Sequence, residues 1–430
     1  MPRHRSRARL LCLALTWPWL GACIHYAPQP LDPAAQASQL AGRRLSAKTW
    51  TLPALIDEAT RANPDLALAR AKYQTALAAV RTAGERPNPT VSLLPQIGNP
   101  LITGTYSIDF DWTIETAGKR SKRQLVAEAQ VRAAKAEIIQ AGWKVRSAVR
   151  KALVDMYVAE QRIHWLNEAI HRQDELLKAF EEQVKAGAES RSIMAQARLL
   201  QAQMRLQAAD NAKQSAAARA SLAEALTMGV SGLDRAQFSF ANFERDTSPS
   251  IPGRKAVLTH RADIYSSLAD YEAAEATLRL EIAKQYPDIH FDPGYQLNAG
   301  ENQWNVGVGL TLPILNHNQG AIGEAEAKRK EAAVSFDAVQ AKALVEYEKA
   351  VSSLSAAKTK LKSVDALIAE LKLQTASEER LLNAGSGDKT SLLSAKVEEA
   401  VAQVSRVEAM GDLHTALGSL EEAAQTPIAD

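Results

Sequence analysis

Two segments of the chain alternate strictly between apolar and polar residues, which is the pattern of a β-strand with one apolar face. Residues 106–112 read Tyr-Ser-Ile-Asp-Phe-Asp-Trp, and residues 304–312 place Trp, Val and Leu opposite Asn, Gly and Thr. The segments that precede them, 90–97 and 289–296, also read as strands. Polar turns lie between the members of each pair. The sequence therefore predicts two β-hairpins, each with an apolar and a polar face.

Stretches with apolar residues at every third or fourth position surround these hairpins and predict helices. A helix precedes each hairpin, a much longer one follows it, and a third helix comes last. At about 1.5 Å per residue, each long helix would extend over roughly 95–100 Å. The predicted helices span residues 52–84, 119–185 and 191–228, and again 253–284, 322–384 and 389–424.

The chain contains this unit twice. Adding 198 to the numbers of a Pro, a Tyr and a Gly gives the same residue types: Pro89 and Pro287, Tyr73 and Tyr271, Gly187 and Gly385. The two shorter helices of each unit together match the long helix in length, as an antiparallel layer of uniform height requires. We therefore predict a first repeat at 51–228, an equatorial linker at 229–252, a second repeat at 253–424 and a C-terminal tail at 425–430.

Composition agrees with long helices, since 46% of residues are hydrophobic but only 5% are aromatic. Lys plus Arg number 51 and Asp plus Glu 49, for a formal charge of +2, and four arginines fall in the first ten residues. This balance argues against nucleic-acid binding. Neither a Ser-His-Asp order nor an HExxH or CxxC motif occurs. We expect no enzyme activity, no cofactor and no metal site.

The N-terminus has the features of a bacterial export signal. A basic start is followed by a short apolar stretch and by Leu20-Gly21-Ala22-Cys23, which resembles a lipoprotein cleavage motif. We predict a signal peptide at residues 1–22 and attachment of lipid, such as palmitate, at Cys23. The only other cysteine, Cys12, leaves with the signal. Residues 23–50 are rich in proline and predict an extended tether.

Four amphipathic strands are too few to close a barrel, which takes about eight, and open strand edges are not tolerated in lipid. Three chains would supply twelve strands. The predicted fold is therefore mainly α with membrane β-hairpins, assembled as a homotrimer. Its parts are a 12-stranded β-barrel and an α-helical tunnel that extends into the periplasm.

From about residue 50 to 424 the chain resembles the TolC-like outer membrane efflux proteins. The resemblance rests on Asn63-Pro64-Asp65-Leu66, on the helix-end prolines, on Leu312-Pro313-Ile314-Leu315 and on the glycine-bearing turns. The stretches 114–120 and 316–320 resemble those of heavy-metal efflux members of the cobalt–zinc–cadmium resistance type. The second repeat departs from the pattern, with Arg261-Ala262-Asp263 in place of Asn-Pro-Asp.

The resemblance implies an exit duct of a tripartite efflux system, lipid-anchored in the outer membrane. The implied partners are a periplasmic adaptor (membrane fusion) protein, an inner-membrane pump of the resistance-nodulation-division type and outer membrane lipid. It places possible gate charges at Glu378, Glu379 and Arg380. The helical tips that would dock the adaptor are Ala186, Gly187, Ala188, Ser190, Ala384, Gly385, Ser386 and Gly387.

Several alternatives stay open at this point. The gate charges are also compatible with a solvated coiled-coil surface, and the tips with plain turns. The basic run Lys119-Arg120-Ser121-Lys122-Arg123 reads either as a solvated helix start or as a contact for anionic lipid head groups. The chain as a whole could be a structural coiled-coil lipoprotein of the periplasm. Within the same fold, a type I secretion or multidrug duct is a further possibility, and the cargo is undetermined.

Overall fold

The structure is a computed structural model that describes residues 26–96, 105–244, 251–298 and 300–428. The chain divides into an N-terminal unit that ends at Arg43 and a second unit that starts at Arg44. In the first unit, helix α1 spans Pro33–Ala41, and the Asp32 carboxylate accepts hydrogen bonds from the backbone N–H groups of Ala34 and Ala35. The prediction of a wholly extended tether is wrong here, because Asp32 and Pro33 together form a strong helix start.

The second unit contains the two predicted repeats in the predicted order. The long helices are α4 (Lys119–Lys185), which agrees with the prediction at both ends, and α8 (Gln319–Asn383), which begins three residues earlier than predicted. The third helix of the first repeat ends three residues earlier than expected. The helices of the second unit are α2 (Leu52–Ala62), α3 (Pro64–Ala83), α4 (Lys119–Lys185), α5 (Arg191–Ala225), α6 (Arg254–His260), α7 (Ala262–Ala283), α8 (Gln319–Asn383) and α9 (Lys389–Ala424).

The first helix of each repeat is broken, where the sequence predicted a continuous one. In the first repeat Pro64 lacks an N–H group and forces Asn63 into an extended conformation, with φ −69° and ψ 125°. The Asn63 side chain then accepts a hydrogen bond from the Leu66 N–H and starts α3. The second repeat breaks at the equivalent Arg261, with φ −70° and ψ 137°, although it has no proline there.

In the second repeat, ion pairs and not a proline stabilise the helix break. The Arg261 guanidinium lies 2.7 Å from Asp263 and 2.8 Å from Glu346 of α8, and it donates to the carbonyl of Ala423 on α9. Arg261 is almost fully buried. The break is therefore fixed by tertiary contacts of one side chain and not by local backbone chemistry.

The strands form two sheets. Strands β1 (Thr49–Trp50) and β4 (Gln237–Phe238) pair in parallel. The larger sheet is antiparallel and has the order β2-β3-β5-β6, with strands Thr90–Gln96, Thr105–Ile114, Ile289–Asn298 and Glu301–Leu310. The two hairpins are thus joined through β3 and β5, where Trp112 lies opposite Phe291. The turn at 97–104 lies outside the described residues.

The helices form a layer whose order repeats that of the strands. Next to the sheet, α3, α4, α7 and α8 pack side by side, and further away α5, α4, α9 and α8 do so. The two long helices α4 and α8 therefore extend through both halves, alternating with columns made of two shorter helices. This confirms the predicted match between one long helix and two shorter ones.

The largest apolar cluster lies where the shorter helices meet. Residues of α2, α4, α5 and α9 pack there with the linker between the repeats, including Leu55, Leu153, Leu222, Phe243 and Leu417. Leu45 and Trp50 of the segment before α2 are also buried in this cluster. The described residues of the linker therefore belong to the core of the second unit. None of the helices in the described residues combines the length and the apolar character that crossing a membrane requires.

Candidate functional site

The four-stranded sheet exposes its apolar face. Along β3, the exposed positions are Tyr106, Ile108, Phe110, Trp112 and Ile114, whereas the polar residues between them are less accessible. On strand β6, Trp304 is 81% exposed and Val306 is 70% exposed, and from Val306 onward the intervening glycines are less accessible. In a water-soluble protein, a sheet buries its apolar face against the core and exposes its polar face. Here the arrangement of the two faces is inverted. The inversion suits a sheet surrounded by lipid.

The opposite face of the sheet is polar and carries a network of carboxylates. Asp111 on β3 lies 3.0 Å from the Nδ1 of His290 on β5, and Ser107 donates to Asp109. Glycines leave room for these groups, since a Cβ at Gly294 would collide with the side chains of Asp109 and Asn305. This face is compatible with a water-filled lumen.

A cluster of ion pairs joins the sheet to the helices. Lys119, at the start of α4, lies 2.7 Å from the carboxylate of Asp288 and donates to the carbonyl of Tyr286. Asp288 also accepts from the backbone N–H of Thr116. Arg123 binds Glu115 through both terminal nitrogens, and this hydrogen bond raises the pKa of the guanidinium. Two of these groups are adjacent to strands: Glu115 directly follows β3, and Asp288 directly precedes β5.

These contacts change the interpretation of the basic run at 119–123. Lys119 is buried, Lys122 donates to the carbonyl of Ala117, and Arg120 donates to the carbonyl of Gly84. Each of its cations thus has a partner within the chain. The run is mainly a structural connection between β3 and the two neighbouring helices, and not a freely solvated helix start.

At the far end of the layer, the tip residues form two turns of the same type. Gly187 has φ 72° and Gly385 has φ 76°, and no atom lies within 4 Å of a Cβ placed on either. In the first turn Ala188 N–H donates to the carbonyl of Gln183 and Gly187 N–H to that of Val184. Ser386 and Gly385 make the equivalent bonds in the second. Both turns are Schellman motifs, in which glycine ends the helix with a left-handed conformation.

The residues after the glycines differ between the tips. Ser190 caps α5 by accepting from the Ile193 N–H, and Asp388 caps α9 by accepting from the Thr390 N–H. The hydrogen bonds from Thr390 hold the pKa of Asp388 below its ordinary value. Asp388 also accepts from the side chain of Gln183, at 3.3 Å. This bond connects the two tips.

The predicted gate charges lie on α8 about one to two turns before the second tip. Glu379 is 3.9 Å from Lys396 of α9, and Arg380 donates to the carbonyl of Ala376 in its own helix. Glu378 is half-buried. Of the three charges, these contacts bring only Glu379 to a neighbouring helix.

A buried histidine holds the linker against α9. The Nε2 of His414 lies 2.8 Å from the carbonyl oxygen of Phe243, and the two rings make an edge contact. Burial lowers the pKa of His414 below its ordinary value, and the nearby Arg150 acts in the same direction. The imidazole is therefore held in its neutral form, with Nε2–H as the donor.

Cys23 and the predicted signal peptide lie outside the described residues. Within the part of the chain that the structure describes, no group of three His, Cys, Asp or Glu side chains is arranged to hold a metal ion.

An apolar-faced sheet that continues into a layer of paired, very long helices defines an outer membrane duct protein. The family model of outer membrane efflux proteins matches residues 55–227 and 254–424, which is most of the chain. The chain belongs to the outer membrane efflux protein family, and its location is the outer membrane. The family and the architecture exclude the alternative of a purely structural coiled-coil lipoprotein.

Individual relatives agree with this assignment. The cobalt-zinc-cadmium resistance protein CzcC of Cupriavidus metallidurans is 26% identical over 282 residues, which are 64% of this chain and 66% of that protein. The match therefore spans slightly less than two thirds of the relative.

Solved structures share the fold. The outer-membrane channel OprN aligns with a TM-score of 0.72 at 18% identity, over 94% of this chain and 98% of its own. CusC aligns with a TM-score of 0.72 at 17% identity, over 93% and 99%. The Campylobacter jejuni outer membrane channel CmeC aligns with a TM-score of 0.69 at 17% identity, over 95% and 94%.

Proposed function

We propose that three copies of this chain form the exit duct of a tripartite efflux system that moves cargo from an inner-membrane pump to the cell exterior. The observation that carries this proposal is the inverted sheet, whose apolar face is exposed and whose polar face carries the carboxylates. Such a sheet forms the wall of an aqueous passage through lipid. The duct has no catalytic step, and energy comes from the pump.

The edges of the sheet support a trimer. Strands β2 and β6 lie at its two ends, so each has one side without a partner strand among the described residues. In the antiparallel order β2-β3-β5-β6 the two edge strands run in opposite directions. Strand β6 of one copy therefore fits antiparallel against β2 of the next. Three copies close twelve strands, with no edge left in lipid.

The helices at the two ends of the layer support the same assembly. Leu199 and Leu206 on α5 are 61% and 64% exposed, and Val334 and Val345 on α8 are 61% and 62% exposed. Ring closure would bring α8 of one copy against α3 and α5 of its neighbour and cover these side chains. This provides apolar burial along the full length of the tunnel.

The trimer is tested by placing charge on these faces. Replacing Leu206 and Val345 together by Glu should convert trimers to monomers on size-exclusion chromatography with light scattering in detergent. Replacing the exposed neighbours Gln207 and Lys349 by Glu is the matched control. Trimers that tolerate Leu206→Glu and Val345→Glu would contradict the proposed interface.

The tips are the proposed docking surface for the hairpins of a periplasmic adaptor. Ala186, Gly187, Ala188 and Ser190 form one tip, and Ala384, Gly385, Ser386 and Gly387 form the other. Their support is that both turns expose small residues and are held rigidly by Schellman hydrogen bonds. Replacing Gly187 and Gly385 by Val should leave trimers in the outer membrane but reduce efflux and cross-linking to the adaptor. Normal efflux would exclude these turns as the contact.

Glu378, Glu379 and Arg380 are proposed to form part of the constriction near the tips. Their support is position alone, one to two turns from the second tip. Replacing Glu378 and Glu379 by Gln should raise the conductance of the channel in planar bilayers. An unchanged conductance would favour the alternative of ordinary solvated charges, of which the Glu379–Lys396 contact is an example.

Heavy-metal cations are the proposed cargo, and the pump is proposed to be of the resistance-nodulation-division type. The support is the similarity to CzcC, which is named a cobalt-zinc-cadmium resistance protein, together with the subgroup motifs at 114–120 and 316–320. Deleting the gene should raise sensitivity to zinc, cobalt or cadmium more than to large drugs. Loss of drug tolerance with full metal tolerance would favour a multidrug duct, and a secretion defect without either would favour a type I secretion duct.

A further inference from the structure

A groove of about 450 Å³ lies where the sheet meets the helices. Its apolar part consists of Trp112, Ile114 and Phe291, all on the exposed face of the sheet. Its polar part consists of Arg86, Arg120 and Glu115. The groove thus places apolar side chains of the lipid-facing surface directly beside two guanidinium groups.

The charge of the groove is positive. Glu115, its only carboxylate, is bound by both terminal nitrogens of Arg123, so its charge is already compensated. Arg120 uses its Nε to donate to the carbonyl of Gly84. Arg86 is exposed, and within the described residues its guanidinium makes no hydrogen bond or ion pair. The groove therefore offers guanidinium donors to an anion from outside the chain.

The position of the groove fits the boundary of the membrane. Trp112 and Phe291 are register partners on β3 and β5, the two central strands of the sheet. Closure of a ring through the edge strands β2 and β6 would leave them accessible. The groove lies at the helical end of the strands, which the proposed function places at the periplasmic leaflet of the outer membrane.

We propose that this groove is a specific binding site for an anionic phospholipid of the periplasmic leaflet. The phosphate would lie between Arg86 and Arg120, because guanidinium groups bind phosphate oxygens in a bidentate manner. The first part of an acyl chain would lie over Trp112 and Phe291. Aromatic side chains are favoured at this level of the bilayer, where apolar and polar surroundings meet. This inference rests on the orientation given under the proposed function.

The site is tested by tryptophan quenching in reconstituted vesicles. The full-length protein with Trp304→Phe, which removes the other exposed sheet tryptophan, is placed in mixtures of brominated phosphatidylglycerol and unbrominated phosphatidylcholine. A second series carries the bromine on phosphatidylcholine instead. Quenching should saturate at a lower mole fraction of brominated lipid when that lipid is phosphatidylglycerol than when it is phosphatidylcholine. Arg86→Gln should weaken the preference about fivefold, the effect of one arginine at an anionic membrane surface.

Two further variants make the result specific. Arg86→Lys should retain most of the preference. Arg81→Gln removes another exposed arginine of the same segment, five residues away and outside the groove, and should leave the preference unchanged. The proposal is overturned if Arg86→Gln binds phosphatidylglycerol as the parent does, or if Arg81→Gln weakens binding equally.

A soluble head group separates the two possible sources of phosphate. Adding sn-glycerol 3-phosphate should not displace the brominated lipid, because it lacks the acyl chain that contacts Trp112. Displacement would show a site for free phosphate compounds and would also overturn the proposal. Trimer formation and metal tolerance are measured for the same variants. Absence of trimers in the parent protein would refute the proposed duct, whereas a lost lipid preference with intact trimers and efflux refutes only the groove.

Discussion

Replacing Glu421 by Gln should destabilise the helical layer more than any change at the neighbouring surface. Glu421 on α9 is 2% exposed and receives hydrogen bonds from two arginines of α4. Its Oε1 lies 2.8 Å from the Nε of Arg146, and its Oε2 lies 2.9 Å from an Nη of Arg150, which is 3% exposed. The substitution keeps the shape of the side chain but removes a buried negative charge that contacts both guanidinium groups.

The size of the effect follows from burial. Removing one partner of a buried ion pair costs about 3–5 kcal/mol, because the remaining charge stays desolvated. Unfolding entropy of about 2.1 cal/mol/K per residue gives about 0.9 kcal/mol/K for a chain of this length. The expected decrease in Tm is therefore about 3–6 °C. The free energy of the pair itself is smaller, because desolvation offsets much of the attraction.

The assay is thermal unfolding of the full-length protein in detergent, followed by circular dichroism at the helical band. Glu422→Gln is the matched control, since Glu422 is the next residue of α9 and has the same charge. It is exposed and accepts a hydrogen bond from Ser147 at the surface, so its removal should cost about 1 kcal/mol or less. Equal shifts of Tm for the two variants would refute the argument that burial sets the magnitude.

Three further predictions concern the tips, the linker and the anchor. Gly387→Ala should reduce efflux more than Gly385→Ala, because a Cβ at 387 comes within 2.7 Å of backbone atoms of the preceding helix. At Gly385 the only cost of a side chain is that of the left-handed backbone conformation, about 1–2 kcal/mol. Equal metal tolerance of the two strains would contradict this prediction. His414 has a lowered pKa in the folded protein, so the unfolded chain binds more protons and Tm should fall as pH decreases through the ordinary value of 6.5. His414→Gln should flatten that slope in a pH series, and an unchanged slope would assign it to other groups. Cys23→Ser should abolish incorporation of labelled palmitate and leave trimers intact; retained label would exclude Cys23 as the lipid attachment site.

The periodic elements could be predicted well from the sequence because local chemistry determines them. The bounds of α4 agree with the prediction because proline is absent from this stretch and a glycine follows its end. The alternation of β3 placed every residue on the observed face. The break at Asn63 was predictable from Pro64, but the regular apolar spacing on both sides favoured a continuous helix.

Other features depend on residues that are far apart in the chain. The break at Arg261 results from contacts with Glu346 and Ala423, which lie 85 and 162 residues away. The buried position of Lys119 likewise depends on Tyr286 and Asp288, which lie 167 and 169 residues away. The tip residues were predictable, since glycine is needed at a left-handed helix end. The bond between Gln183 and Asp388 was not, because it joins the two repeats.

The two tips share a turn type but expose different residues, so an adaptor would meet two different surfaces. At the second tip, Gly387 lies so close to the backbone of Leu381 and Leu382 that a side chain does not fit there, and the neighbouring Ser386 is exposed. At the first tip, Ala188 and Glu189 are exposed. In a ring of three copies the two kinds of tip would alternate, giving six positions of two chemical types. An adaptor hairpin that recognises both must make two different contacts. Substitutions at the two tips should therefore be made separately, since unequal effects are the result that this geometry requires.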